Sequence, residues 1–418
     1  MLIPPFADDE LRRDVSMRGI ILKAGTVIIG DGTTASDVSI LIQENKIAEV
    51  GSQVASGSGF EVLDFSDRVV MPGIIDTHVH VCHDGTNPDP AEIKKHSDEY
   101  LAIRGAKFTE QLLNAGVTTA GDAAGRSDVP FAVKNAIRNG YVKGPRFLVC
   151  GRMITISAGR GSYSGSNEAN GPDDVRRATR EELGRGADFI KLAATGAISS
   201  EGTESFTTQF NQDELQAAVE ETHKLGKKTH AHSYGEPGGI NTILAGVDVI
   251  VHGHPMTEKT INLAKKHGTQ FMPTLTTYYE SLQHHDEGEL PEYMIRKEKE
   301  LFPLIEGGFR SSVEAGLEIV LGTDSGMPYT PFGPSSMEEM ELMVRLGGMS
   351  EMGAIVAGTK NAAKALSIDK YVGTIEIGKS ADLLVLESGL DPLKNISRLQ
   401  NPESVEMVIL EGKTVIKR

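Results

Sequence analysis

Along this chain a helix-like stretch repeatedly ends in glycine, and a β-branched or apolar run follows at once or within a few residues. The pattern recurs at Gly116 (NAGVTTAGDA), Gly186 (RGADFIKLAA), Gly226 (LGKKTHAHS), Gly246 (AGVDVIVHG), Gly268 (HGTQFMPTL) and Gly316 (AGLEIVLGTD). Glycine suits the left-handed backbone position just past a helix end. Short runs that are apolar throughout, rather than alternating, are those of strands buried on both faces. The helices between them carry their own start signals. NQDELQAAVEETHKLG opens with Asn211 as a cap and Glu214 at the capping-box position, and MTEKTINLAKKHG opens at Thr257 and closes at Gly268. With the run before His78 and the run PRFLVCG at 145–151, eight strands are predicted, ending near residues 80, 123, 151, 194, 233, 253, 275 and 324. Eight alternating βα units predict an α/β fold, a (β/α)8 TIM barrel. A doubly wound open sheet shares the alternation, but the number of units and the polar residues at almost every strand end favour the barrel.

The flanks have a different texture. Residues 18–68 hold short alternating strands and turns, and residues 373–418 repeat that pattern in VGTIEIGKSADLLVLE and VEMVILEGKTVIKR. Neither piece is large enough to bury a core alone, so one small β-sandwich domain built from both chain ends is expected around a barrel spanning 69–372. Residues 1–17 read as an N-terminal arm with acidic residues early and no apolar h-region, so no secretory leader is expected.

Composition narrows the partners. The formal net charge is −16 and no dense Lys/Arg run occurs, which argues against nucleic acid or an anionic membrane surface. No apolar run approaches the length of a membrane span. Two cysteines, Cys82 and Cys150, make no disulfide framework and point to a reducing, cytoplasmic setting. A homo-oligomer acting on a small molecule is expected.

The strand ends carry the candidate chemistry. GIIDTHVH places His78 and His80 on one face of a strand, because side chains alternate along it. Lys191 lies in FIKLAATG, His230 and His232 in THAHSYG, His252 and His254 in VHGHP, and Asp324 in LGTDSG. Imidazoles and a carboxylate at one barrel mouth form a ligand set for zinc or a similar divalent ion. His232 and His252 each lie six residues beyond a helix-ending glycine, which implies equal depth and favours them as ligands over His230 and His254. His230 remains the alternative on its strand. Lys191, on an inward face, has either a carboxylate partner or a desolvated neutral amine open to carboxylation. Cys82 follows His80 closely enough to approach a metal or, as a buried free thiol, simply to pack.

HVH after MPGIID, then FIKL, THAHSYG, VHGH and GTDSG, in this order, resemble the amidohydrolase superfamily, in its imidazolonepropionase-like branch with metal-dependent prolidases and carboxypeptidases. GTIEIGKSADLLVLE is similar to that superfamily's return to its small β-domain, and the resemblance covers nearly the whole chain from about residue 18. It implies two divalent ions, zinc first, with Mn2+, Co2+ or Fe2+ as substitutes. His78, His80 and Asp324 would hold one, His232 and His252 the other, with carboxylated Lys191 and a hydroxide between them. It also implies that Tyr234 holds a substrate carboxylate and that Asp324 moves the proton from the attacking hydroxide to the leaving nitrogen. One position departs from the pattern. Relatives carry a Gly-Gly-His-Gly loop after the third strand, whereas here SAGRGSYSGSNEANG places Arg160 where the histidine would be. Arginine can grip a carboxylate in two bonds but cannot exchange protons near neutral pH. Arg160 and His254 are therefore expected to contact substrate or steady its carbonyl, unless Arg160 is a solvated loop charge.

The expected activity is hydrolysis of the amide bond of a small N-acyl amino acid or dipeptide. The alternative is a mononuclear deaminase or cyclic-amide hydrolase of a small heterocycle, against which Lys191 counts. The long segment TLTTYYESLQHHDEGELPEYMIRKEKELF, after the seventh strand, is either a lid whose tyrosines, His284 and His285 meet substrate or a surface helix.

Overall fold

The structure, a computed structural model, describes residues 19–57 and 59–418; the expected arm, residues 1–17, lies outside them. Among the described residues sixteen strands are assigned. The first four are β1 (Gly19–Ile28), β2 (Thr34–Gln43), β3 (Lys46–Gly51) and β4 (Phe60–Pro72). The central strands are β5 (Ile74–Val79), β6 (Val117–Asp122), β7 (Arg146–Val149), β8 (Ile154–Thr155), β9 (Asn167–Glu168), β10 (Ile190–Ala193), β11 (Thr229–Ser233), β12 (Val249–His252) and β13 (Gln270–Met272). The chain closes with β14 (Leu383–Leu386), β15 (Val405–Leu410) and β16 (Lys413–Lys417).

Both chain ends meet in one seven-stranded sheet of order β16-β15-β14-β4-β1-β2-β3. The expected two-layer sandwich is thus seen as a single continuous ladder. Its core mixes residues from the two ends: Leu22, Ile40, Ile42 and Phe65 pack with Leu383, Val385, Met407 and Ile409. Each half leaves an apolar face that only the other covers, which is why segments more than 300 residues apart fold together. β4 is the hinge element. It runs parallel to β1, pairs with β14 through Val70–Pro72, and leads through Gly73 directly into β5.

The central strands are parallel, in a three-stranded sheet β5-β6-β7 and a six-stranded sheet β13-β12-β11-β10-β8-β9. The expected eighth strand is an extended segment rather than a ladder. It touches β13 through a parallel bridge Phe271–Ile319 and β5 through Val79–Ser325. Further bonds run from Thr77 N to Leu321 O (3.2 Å) and from Asp324 N to His78 O (2.9 Å). At the other junction Asp188 N donates to Val149 O at 2.7 Å, just ahead of β10.

The punctuation works as its chemistry requires. Gly246 and Gly268 take φ of 84° and 71° at their helix ends, a region costly for a residue with a Cβ. Asn211 and Glu214 form a capping box, with Glu214 Oε2 accepting from Asn211 N at 2.7 Å. The two-residue strands β8 and β9 were not foreseen. They lie either side of the Arg160 loop and fix its two ends to the edge of the six-stranded sheet.

Candidate metal centre

Six strand-end side chains converge. His78 and His80 leave the end of β5 on the same face, with their Nε2 atoms 3.1 Å apart. Asp324 Oδ1 lies 3.1 Å from the first and 2.9 Å from the second. These three atoms form a triangle that hydrogen bonds alone do not satisfy: if both Nε2–H groups donate to Asp324 Oδ1, the two Nε2 atoms, 3.1 Å apart, have no bond to make with each other. The edges are close to the ~3.3 Å expected between ligands of a tetrahedral ion with bonds of about 2.0–2.1 Å. Among the described residues, His78, His80 and Asp324 form the compact group that could hold a metal ion.

Lys191 stands beside them, completely buried on β10, its Nζ 3.4 Å from His78 Nδ1. Burial, and then the nearby Arg160 charge, push its amine well below the ordinary lysine range. No carboxylate forms an ion pair with it among the described residues, so the neutral amine is the form this site favours. β10 and β11 pair Lys191 with His230 and Ala193 with His232. His230 sits at the lower level and turns its Nε2 to Ala365 O at 2.9 Å, packing on Phe189. His232 Nε2 donates to Gly196 O at 2.8 Å, which leaves the lone pair on Nδ1, and Nδ1 has no partner. His252 Nδ1 meets Thr274 Oγ1 at 2.8 Å and its buried Nε2 is likewise unpartnered. The two rings lie 4.7 Å apart, and His78 is 5.7 Å from His252. An outer bond that fixes the ring while the other nitrogen faces inward is how metal-binding histidines are oriented. Burial also holds His78, His232 and His252 well below the usual imidazole range, hence neutral and able to ligate. For Asp324, burial works to raise the carboxyl, but the His78 and His80 contacts outweigh it and hold it well below the carboxylate range.

Backbone strain gathers at the same place. His252, Thr274 and Asp324 have φ of 66°, 49° and 65°. Left-handed backbone at non-glycine residues, one of them β-branched, is costly and is retained where it aims side chains at a site. It also explains His254. After the left-handed His252 and Gly253 (φ 68°) the chain turns. His254 then points Nε2 at Pro273 O (3.0 Å), with its ring against Phe271 and Tyr278. It does not line the cavity described next.

Above the histidines is a narrow cavity. Its walls include His232, His252, Asp324, Tyr234, Arg160, Tyr278 and Glu298. Arg160 is 6% exposed, not a solvated loop charge. Its backbone N bonds Gln209 Oε1 at 3.1 Å and its Nη1 lies 2.9 Å from Met153 Sδ. Its Nε has no partner, and no carboxylate pairs with it among the described residues. Tyr234 is buried and shares a 2.6 Å hydrogen bond with Tyr278 Oη, and burial pushes both phenols up, so both stay protonated. Cys82 packs with Ile93, Leu101 and Val129, and burial raises its thiol beyond the ordinary range, as in an inert core cysteine.

The long segment after β13 forms two helices, Leu275–Gln283 and Glu292–Glu314, and supplies Thr277, Tyr278, Ser281, Met294 and Glu298 to the cavity wall. His284 instead stacks on Tyr329, and His285 binds Glu298. Tyr278 is one of the tyrosines that the segment was expected to bring to substrate, whereas Glu298 and Thr274 were missed from sequence. A signal for Glu298 existed, since it interrupts the buried stripe Met294, Leu301, Ile305 of its helix.

The chain matches the amidohydrolase family over residues 69–415. It is 28% identical to an ochratoxinase of Aspergillus niger over 94% of this chain and 86% of that enzyme. It is 24% identical to an imidazolonepropionase of Thermoanaerobacter pseudethanolicus, over 84% of each. The solved structure of a Xaa-Pro dipeptidase with bound methionine in the active site superposes with a TM-score of 0.86 at 30% identity, covering 94% of this chain and 99% of the other. With a candidate metal site at its strand ends and the family match spanning most of its length, the chain belongs to the amidohydrolase family, as a hydrolase acting on carbon–nitrogen bonds.

Proposed function

We propose that this enzyme hydrolyses the amide bond of a small N-acyl amino acid or dipeptide at a two-metal site. His78, His80 and Asp324 would hold one divalent ion, His232 and His252 the other, with carboxylated Lys191 shared between them. The fit rests on the His78–His80–Asp324 triangle and on the unpartnered, buried Nδ1 of His232 and Nε2 of His252. The neutral Lys191 amine can add carbon dioxide with release of a proton, giving the anion this set lacks. Zinc is the first candidate, with manganese, cobalt or iron as substitutes. In this reading the parallel strands β5, β6, β7 and β10–β13 close with residues 318–325 into a (β/α)8 barrel spanning 69–372. Residues 18–68 and 373–418 then form the companion domain. The enzyme acts as a homo-oligomer in the cytoplasm on a small molecule; no helix among the described residues is long and apolar enough to cross a membrane.

When bound, such ions polarise an amide carbonyl and bring the pKa of water toward neutrality. The chain's own groups do the rest. Asp324, a carboxylate beside the His78 and His80 imidazoles, accepts the proton of the attacking water and delivers it to the leaving nitrogen. The protonated Tyr234–Tyr278 pair offers a hydrogen bond in the cavity, to a substrate carboxylate or to the oxyanion. The tight, largely buried walls exclude bulk water. The observation that carries the substrate class is Arg160. A buried guanidinium without a carboxylate partner, lining the same cavity as Asp324, calls for an anion from the substrate. The Xaa-Pro dipeptidase that this chain resembles holds a free amino acid in its active site, which supports a carboxylate-bearing product.

A screen of N-acyl amino acids and dipeptides against metal-loaded protein tests the proposal. Arg160→Ala and Tyr234→Phe should raise KM most, by about 10–100-fold for Arg160→Ala, on substrates with a free carboxylate. Equal effects on carboxylate-free amides would remove the assigned pocket. A mononuclear hydrolase or deaminase of a small heterocycle is the second reading. It is favoured by the fact that, among the described residues, only His78, His80 and Asp324 form a compact group, with His232 and His252 outside it. One ion per chain with an unmodified Lys191, by metal analysis and mass spectrometry, would select it.

A further inference from the structure

The cavity that Arg160 lines also holds a buried carboxylate. Glu298 is 3% exposed. Its Oε1 accepts from Ser281 Oγ at 2.8 Å and its Oε2 lies 2.6 Å from His285 Nε2. No lysine or arginine pairs with it among the described residues. Burial pushes its carboxyl above the ordinary glutamate range, and the His285 and Ser281 contacts pull it back. A buried carboxylate among Met294, Leu301 and Ile305 costs desolvation that a leucine would avoid. It is also held in place. The preceding Lys297 donates to the carbonyls of Ala197 (3.0 Å), Ser200 (2.7 Å) and Thr203. These bonds clamp the helix to the loop after β10 that forms the adjoining wall, so Glu298 is fixed toward the cavity rather than free to swing out.

The sheet order separates the two charges. Arg160 lies between β8 and β9, at one end of the six-stranded sheet, and Glu298 lies in the segment after β13, at the other. The strands that carry Lys191, His232 and His252 lie between them. An extended two-residue ligand spans up to about 7 Å, with a cation at one end, a carboxylate at the other and a single amide between.

Resting on the amide-hydrolase reading above, we propose that Glu298 is a specificity-determining residue. It receives the free α-amino group of an unblocked dipeptide whose carboxylate binds Arg160, so the substrate class is the zwitterionic dipeptide rather than the N-acyl amino acid. The incoming ammonium adds the fixed positive charge of a lysine-like partner, where the free enzyme offers Glu298 only Ser281 and His285.

Ala-Leu and propionyl-Leu differ only in that amine. Both are assayed with the zinc-loaded full chain, and the comparison is repeated across matched pairs with other C-terminal residues. The expected result is a preference for the dipeptide of about 10–100-fold in kcat/KM. Glu298→Gln should bring that ratio within about threefold, mainly through KM for the dipeptide. His285→Gln, which keeps the carboxylate, should retain the preference. Wild-type enzyme that cleaves both equally, or favours propionyl-Leu, overturns the inference and leaves the hydrolase reading standing. So does a Glu298→Gln variant that loses both activities by one factor with the ratio intact. Cleavage of no member of any pair would overturn the hydrolase reading, and this inference with it.

Discussion

Lys191 is the side chain whose environment says most. It is completely buried on β10, without a carboxylate partner among the described residues, and close to His78. A structural lysine in that setting would be a net cost, which makes sense only if its amine is modified or liganded. Lys191→Ala should therefore lower metal content from two ions per chain to one and remove the 44-Da mass increment of a carboxylated lysine, about the mass of one added carbon dioxide. Full two-ion loading of that variant would refute the bridge. Sequence was informative at this scale where residue type and spacing coincide: His78, His80, His232, His252 and Asp324 all reach one region. It was uninformative for Arg160, because a loop arginine reads the same whether solvated or buried, and only the β8–β9 pairing shows which.

Among the elements, the helix Leu275–Gln283 depends on a partner distant in sequence. Its first backbone N–H groups, of Leu275 and Thr276, donate to the two carboxyl oxygens of Glu339 at 2.9 and 2.8 Å. Glu339 is fully buried, and burial outweighs those bonds and raises its carboxyl to about 7. A carboxyl raised in the folded state favours folding while it is protonated, and that contribution is lost as pH rises through the folded value. Stability should then fall by about 1–3 kcal/mol between pH ~5 and pH ~8, and Glu339→Gln should flatten the slope in denaturant titrations at the two pH values. An unchanged slope would assign the dependence to other groups. The helix–glycine–strand rhythm was legible because each signal is local. The eighth strand was only partly so: residues 318–325 make isolated bridges, since Asp324 takes a left-handed backbone to reach the histidines.

At the scale of the whole molecule, the seven-stranded sheet is fastened to the central strands by Arg146. From β7 it bonds Asp382, and its Nη2 donates to Glu411 Oε1 at 2.9 Å. Asp382 is 6% exposed and also accepts from Ser380 Oγ and Glu411 N, so removing the guanidinium leaves a buried carboxylate partly satisfied. Arg146→Ala should cost about 2–4 kcal/mol in chemical denaturation with little change in kcat; a loss of activity without destabilisation would mean the two units communicate in another way. The sequence by itself determined the alternation of helices and buried strands, the union of the two chain ends and the identity of the strand-end histidines. Those follow from periodicity, capping and side-chain type, which act over a few residues. Only the tertiary structure decided that Arg160 is buried beside the histidines, that His254 turns away, and that Glu298 completes the cavity. Burial and orientation at those positions are set by which distant segments pack against them, and no local pattern encodes that.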